Sequence, residues 1–177
     1  LGGVRFGPET VGFDGEDIPW EKVVSVRCHN AFLKMTTSSL EQEVEKIRDL
    51  LPPVPGRKWA LTKIGEGLST VMLASMERAA EQSMDQVMVA TEIVYKGMLG
   101  RTKTIDAGMY ATSILAQKPA VQLSLVMTAQ AHGVTVETVQ PGPEAQHIQE
   151  RVLALRAQTD AVTARLRAAE AGETAPA

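Results

Sequence analysis

Aromatic residues are scarce in this chain: three Phe, two Trp and two Tyr amount to 4% of 177 residues. A core short of rings must be built from aliphatic side chains and the eight methionines, which favours helices over an aromatic-packed β-sandwich. Cysteine is nearly absent as well. The single Cys28 cannot form an internal disulfide, which excludes a disulfide-stapled secreted scaffold and fits a reducing compartment. Neither sign of charge prevails: 18 basic against 21 acidic residues give −3, so no electrostatic footprint for nucleic acid is present. No apolar run approaches the roughly 18–20 residues that span a bilayer, and no secretory signal is visible. A cytoplasmic domain is therefore expected. Leu1 rather than Met heads the sequence, so the natural start is expected upstream, where an inner-membrane anchor would tether the domain.

What is present describes a folding chain: 44% hydrophobic and 22% charged residues. The length allows one domain, or one domain with an appendage. In the first forty residues Val4-Arg5-Phe6, Thr10-Val11-Gly12-Phe13 and Val23–Arg27 are β-prone runs separated by the turn dipeptides Gly7-Pro8 and Asp14-Gly15. They predict a meander, to which residues 31–36 would add a fourth strand. Ser38 and Glu41 make a capping box, and Leu40, Val44, Ile47 and Leu51 continue one helical face until Pro52-Pro53-Val54-Pro55-Gly56 stops it. Residues 57–80 keep a helical period with a break expected at Gly65 and Gly67. The alternation Val87, Val89, Thr91, Ile93, Tyr95 favours a strand over a helix, and residues 98–104 read as a basic turn. Asp106 is expected to cap a helix to about Gln117, Pro119 to open another that closes at Gly133, and residues 134–139 to form a last strand.

Past Pro141-Gly142-Pro143, the residues Ile148, Val152, Leu155, Thr159, Val162, Leu166 and Ala169 repeat at spacings of four and three, a heptad-patterned helix. The expected class is α+β: an N-terminal antiparallel meander packed with several helices over residues 1–140, a linker at 141–143, a coiled-coil-like tail at 144–170 and a disordered end at 171–177. Ile148, Val152, Leu155, Val162 and Leu166 would be the seam that meets a partner, a second copy, or the domain itself.

Catalytic constellations are not apparent. His29, His132 and His147 share no ligand spacing with Cys28, so no metal and no cofactor are implied. Cys28 reads as a small buried hydrophobe, with His29 on the opposite strand face. Asp14-Gly15-Glu16-Asp17 reads as a solvated hairpin turn rather than a calcium loop. Gly65-Glu66-Gly67 is too short for a phosphate cradle. Two basic clusters, Arg57-Lys58-Trp59 and Arg101-x-Lys103, are candidates for contact with lipid phosphate or a partner; the alternative for Trp59 is to anchor the proline-rich connector.

The order Gly3-Val4-Arg5-Phe6, Thr10-Val11-Gly12-Phe13 and Ile18-Pro19-Trp20-Glu21-Lys22-Val23-Val24-Ser25-Val26 resembles the bacterial PH-like domains, in which such a tryptophan opens a strand. The likeness covers residues 2–36 and implies a non-catalytic surface that docks proteins or lipids. It departs from that family over residues 57–133, which look too helical to complete a seven-stranded barrel. The run Leu50–Trp59, together with the Ala, Val and Arg usage, is similar to actinobacterial cell-envelope factors, the trehalose monomycolate transport factors among them. That similarity implies a membrane anchor followed by a cytoplasmic domain.

The leading expectation is thus a cytoplasmic adaptor in a membrane-associated assembly, with a protein partner, a membrane protein included, and with self-association through the tail or lipid contact as further options. A second is a binder of lipid or another apolar ligand lined by Met72, Met76, Met84, Met88, Met109 and Met127. A third is an enzyme of unrecognised type, for which Tyr95, Tyr110, His132 and Asp106 are the polar candidates.

Overall fold

Three short strands, β1 (Val4–Phe6), β2 (Thr10–Phe13) and β3 (Glu16–Pro19), form an antiparallel sheet in chain order in the computed structural model. The structure describes residues 3–37, 45, 48–49, 55–81, 87–143 and 147–173. A second sheet holds β4 (Val23–Asn30), β5 (Met88–Lys96), β6 (Thr102–Asp106) and β7 (Thr135–Thr138) in the order β6-β5-β4-β7. Only β7 runs parallel to its neighbour, β4, because two helices intervene before it. The helices are α1 (Ala31–Thr37), α2 (Arg57–Glu81), α3 (Met109–Gln117), α4 (Pro119–Ala131) and α5 (Ile148–Glu173). This is an α+β architecture. Among the described residues no helix is long and apolar enough to cross a membrane.

The first two strands of the meander form as expected, but its third is β3, and the expected third strand, Val23–Arg27, lies in the second sheet as part of β4, because the 3-10 turn at Trp20–Lys22 separates it from β3. Asp14 and Gly15 both take positive φ, so the β2–β3 turn is tight, and Glu16 and Asp17 belong to β3 rather than to a four-residue acidic turn. Asp17 faces Arg5 of β1 at 2.9 Å. Gly12 is required by close approach, since a Cβ there would stand 1.6 Å from the carbonyl oxygen of Glu16. Trp20 sits in a 3-10 turn between β3 and β4, buried, with its indole N–H donating to the Gly7 carbonyl at 2.8 Å. Its ring stacks on His132 with centroids 4.9 Å apart.

Several local expectations are corrected. Residues 31–36 form α1, not a strand, because the buried Asn30 ends β4 and its Oδ1 accepts from the amides of Phe32 and Leu33, an N-cap that turns the chain into a helix. The basic turn is shorter than 98–104, as Thr102–Asp106 pairs with β5 in register Lys96↔Thr102 to Glu92↔Asp106. Asp106 therefore lies in a strand and caps nothing; Gly108 precedes α3, and its amide donates to Asp14 Oδ2 at 2.7 Å. Gly65 and Gly67 do not interrupt α2, a single helix of 25 residues. The strand expected at 87–96, the helix starting at Pro119 and the final strand near 134–139 are all present. The capping box at Ser38–Glu41 and Pro52-Pro53-Val54 lie outside the described residues.

One hydrophobic core runs through the molecule. Val11, Phe13, Trp20, Val26, Phe32, Met35, Ile93, Met109, Leu115 and Leu125 are buried in it, and its buried aromatics, Phe13, Trp20 and Phe32, all come from the first forty residues. Val152, Leu155 and Val162 of α5 belong to the same cluster. Helix α5 packs against α2 and α1, pinned by Ser69 and Thr163 hydroxyls at 2.8 Å and by Arg167 and Glu66 at 3.0 Å.

Candidate functional site

Three surface features stand out on this scaffold. The first is a charged row across the four-stranded sheet. Strand register aligns Asp106, Glu92, Arg27 and Glu137 on successive strands, and Lys34 of α1 reaches over them. Arg27 Nε lies 2.9 Å from Glu137 and its Nη1 3.8 Å from Glu92. Lys34 Nζ lies 3.2 Å from Glu92 and 2.5 Å from Asp106. A register shift that inserts Thr91 into β5 brings its hydroxyl to 2.9 Å from His29 Nδ1, while His29 Nε2 stands 3.6 Å from Glu92. Burial lowers the His29 pKa; the Glu92 charge opposes that and the Lys34 charge adds to it. Burial acts against the Lys34 ammonium too, but its bonds to Asp106 and Glu92 prevail and its pKa is raised. The charges answer one another inside the row, which makes it a clasp between α1 and the sheet.

The second feature is the tip of the β5–β6 hairpin, where Met98 is 86% and Leu99 93% exposed. Gly97, Gly100 and Arg101 amides bond within the turn, to the Arg101, Gly97 and Met98 carbonyls respectively. The third is the outer face of α4. From Pro119 to Ala131 this helix has no charged residue, and Leu123 and Met127, four apart, are each 59% exposed. A helix facing water ordinarily places Lys, Glu or Arg on its outer stripe.

The residues singled out from sequence are distributed as follows. Arg101 and Lys103 flank the hairpin tip, whereas Arg57, Lys58 and Trp59 form the first turn of α2, an element that packs on α5 and α3. Trp59 is 57% exposed, too open to anchor a connector by burial, and Arg57 donates to the Arg48 carbonyl. The tail residues Val152, Leu155 and Val162 are buried and Leu166 half-buried beneath the chain's own α1 and α2. Ile148 opens α5. Cys28 is buried beside the Gln122 side chain, and burial raises its thiol pKa. Among the described residues no three His, Cys, Asp or Glu side chains are grouped to hold a metal ion.

Among the described residues, two clefts open to solvent are formed. One, of about 540 Å³, is lined by Phe13, Asp14, Glu16, Tyr95, Lys103 and Asp106 among others; it brings Tyr95 and Asp106 together, but His132 is stacked on Trp20 elsewhere. The other, of about 450 Å³, lies between α2 and α5 and is lined by Glu66, Ser69, Thr70, Asp160, Thr163 and Arg167. Neither cleft contains a methionine. Met109 is buried in the core and Met127 is on the surface, so these two do not share a cavity wall. Met84 and the side chains of Met72 and Met76 are outside the described residues.

No protein-family model, curated protein or solved structure is significantly similar to this chain. The PH-like and actinobacterial resemblances thus stand on the quoted residues alone. Met98, Leu99, Leu123 and Met127 were not signalled as surface residues by pattern. The available hints were an apolar pair bracketed by Gly97 and Gly100 among cations, and thirteen helical residues without a charge.

Proposed function

We propose that this chain is a non-catalytic interaction module, an adaptor in a membrane-associated assembly, and that α4 is the face it offers to a protein partner. The observation that carries this reading is the uncharged outer stripe of α4 with Leu123 and Met127 at its centre. The centres of protein interfaces are depleted in charge and enriched in Met, and exposed apolar side chains four apart on a helix fit an apolar groove or a second helix. The buried tail seam does not serve this purpose, because α1 and α2 already cover Val152, Leu155 and Val162.

A photo-crosslinking residue placed at Leu123 in cells producing the chain is expected to give one discrete protein adduct, and Met127→Glu to reduce its yield at least tenfold. Absence of an adduct, together with a concentration-independent monomer by sedimentation velocity, would refute the reading.

A further inference from the structure

The β5–β6 hairpin carries an arrangement that neither the core nor α4 explains. Two large apolar side chains, Met98 and Leu99, stand almost wholly in water at its tip. Leu99 is held there in the left-handed region, at φ 60 and ψ 22, followed by Gly100 at φ +72. Few non-glycine residues occupy that region, because Cβ crowds the backbone. A glycine or asparagine would form the same turn with less strain, so the position is not explained by turn chemistry.

The hairpin below the tip is basic. Lys96 and Lys103 lie on opposite faces of the two-stranded ribbon, since Tyr95 rather than Lys96 pairs with Lys103, and Arg101 joins the tip to β6. Among the described residues none of the three is held in an ion pair, and all three are exposed. The nearest acidic pair on the ribbon, Glu92 and Asp106, is three rungs from Lys103 and four from Lys96 and is occupied by Lys34; Asp14 and Glu16 of the other sheet line the same cleft as Lys103. Three to four rungs are about 10–13 Å of strand, beyond the ~8 Å screening length at physiological salt. The stem of Lys103 lies flat over Gly97, where a Cβ would come within 2.9 Å of its Cδ. That packing keeps a cation close under the apolar tip.

We infer that this hairpin is a wedge that docks end-on to an anionic bilayer, with Met98 and Leu99 entering the boundary between headgroups and acyl chains and Lys96, Arg101 and Lys103 engaging lipid phosphates. An apolar tip above cations on both faces of a ribbon matches the layered chemistry of such a surface, apolar within and anionic at the rim. The turn's three internal backbone bonds also reduce the polar groups that entry would strip of water. A protein groove is a poorer occupant, because it would have to meet cations on both faces of a two-stranded ribbon at once. The inference does not rest on the docking role of α4.

The test is co-sedimentation of the full chain with phosphatidylcholine vesicles containing about one third phosphatidylglycerol, against pure phosphatidylcholine. Wild type is expected to bind the anionic vesicles at least tenfold more tightly, and binding should weaken as salt rises. The double variants Met98→Ser/Leu99→Ser and Arg101→Glu/Lys103→Glu should each lose at least tenfold, with an unchanged circular dichroism spectrum because these side chains are exposed. Leu123→Glu should bind as wild type does, which separates this surface from α4. The wedge is overturned if wild type stays with the supernatant in the presence of anionic vesicles. It is equally overturned if the Met98/Leu99 variant sediments like wild type, which would leave only a diffuse charge attraction.

Discussion

Gly12 shows how a single side-chain-free position governs the N-terminal sheet. It lies in the middle of β2, where glycine ordinarily weakens a strand, yet the Glu16 carbonyl occupies the space a Cβ would take. Gly12→Ala must displace backbone rather than a flexible side chain. The expected cost is more than about 3 kcal/mol of stability, read as a fall in the urea midpoint, with a wild-type midpoint as the contrary result. Asn30 is a comparable case of one residue directing its neighbours, since its carboxamide converts a β-like run into α1. Neither role is visible in composition. Gly12 reads only as a residue within a β-prone run, and the Ala-Phe-Leu-Lys-Met-Thr segment after Asn30 has side chains that suit either state until a cap selects one.

At the scale of elements, α5 is the instructive case. Its four-three apolar spacing predicts a helix, and a helix forms over Ile148–Glu173 with Val152, Leu155 and Val162 buried. The same spacing could not distinguish a partner from the chain itself, because both bury the same stripe. The structure places the stripe in the shared core against α2 and α1. Leu155→Ala is therefore expected to lower the stability of the whole chain by about 2–4 kcal/mol in the monomer. Thermal unfolding followed at dilute concentration measures it; an unchanged melting temperature would mean that α5 unfolds separately from the rest. Strand β5 was legible from its period-two alternation, whereas β6 was not: four of its five residues are exposed and polar, and its strand character comes from pairing with β5.

For the molecule as a whole, the charged row sets how stability varies with pH. His29 has a pKa below its ordinary 6.5 in the folded chain, chiefly through burial. As pH falls below 6.5, the unfolded chain takes up that proton before the folded one does, so stability declines. The raised pKa of Lys34 acts at the other extreme: its contribution is present below its ordinary 10.5 and is lost as pH rises through the folded value. Glu66, whose pKa is lowered by the side chains of Lys63 and then Arg167, adds a further loss in acid below 4.5. Urea unfolding between about pH 7 and pH 5 should show decreasing stability, and His29→Gln should flatten that limb. A His29→Gln profile with the wild-type slope would show that other groups carry it.

The α+β class, the boundaries of most strands and helices, and the concentration of aromatics in the first part were determined by the sequence alone, through periodicity, turn residues and caps that act over a few positions. The tertiary structure alone decided which faces are covered. Val152, Leu155 and Val162 of α5 turned inward because α2 and α1 lay against that helix, and the charge-free face of α4 and the apolar hairpin tip remained outside because nothing in the described chain packs over them. Burial is a property of what the fold places opposite a side chain, and that cannot be read from the residue's immediate neighbours in sequence.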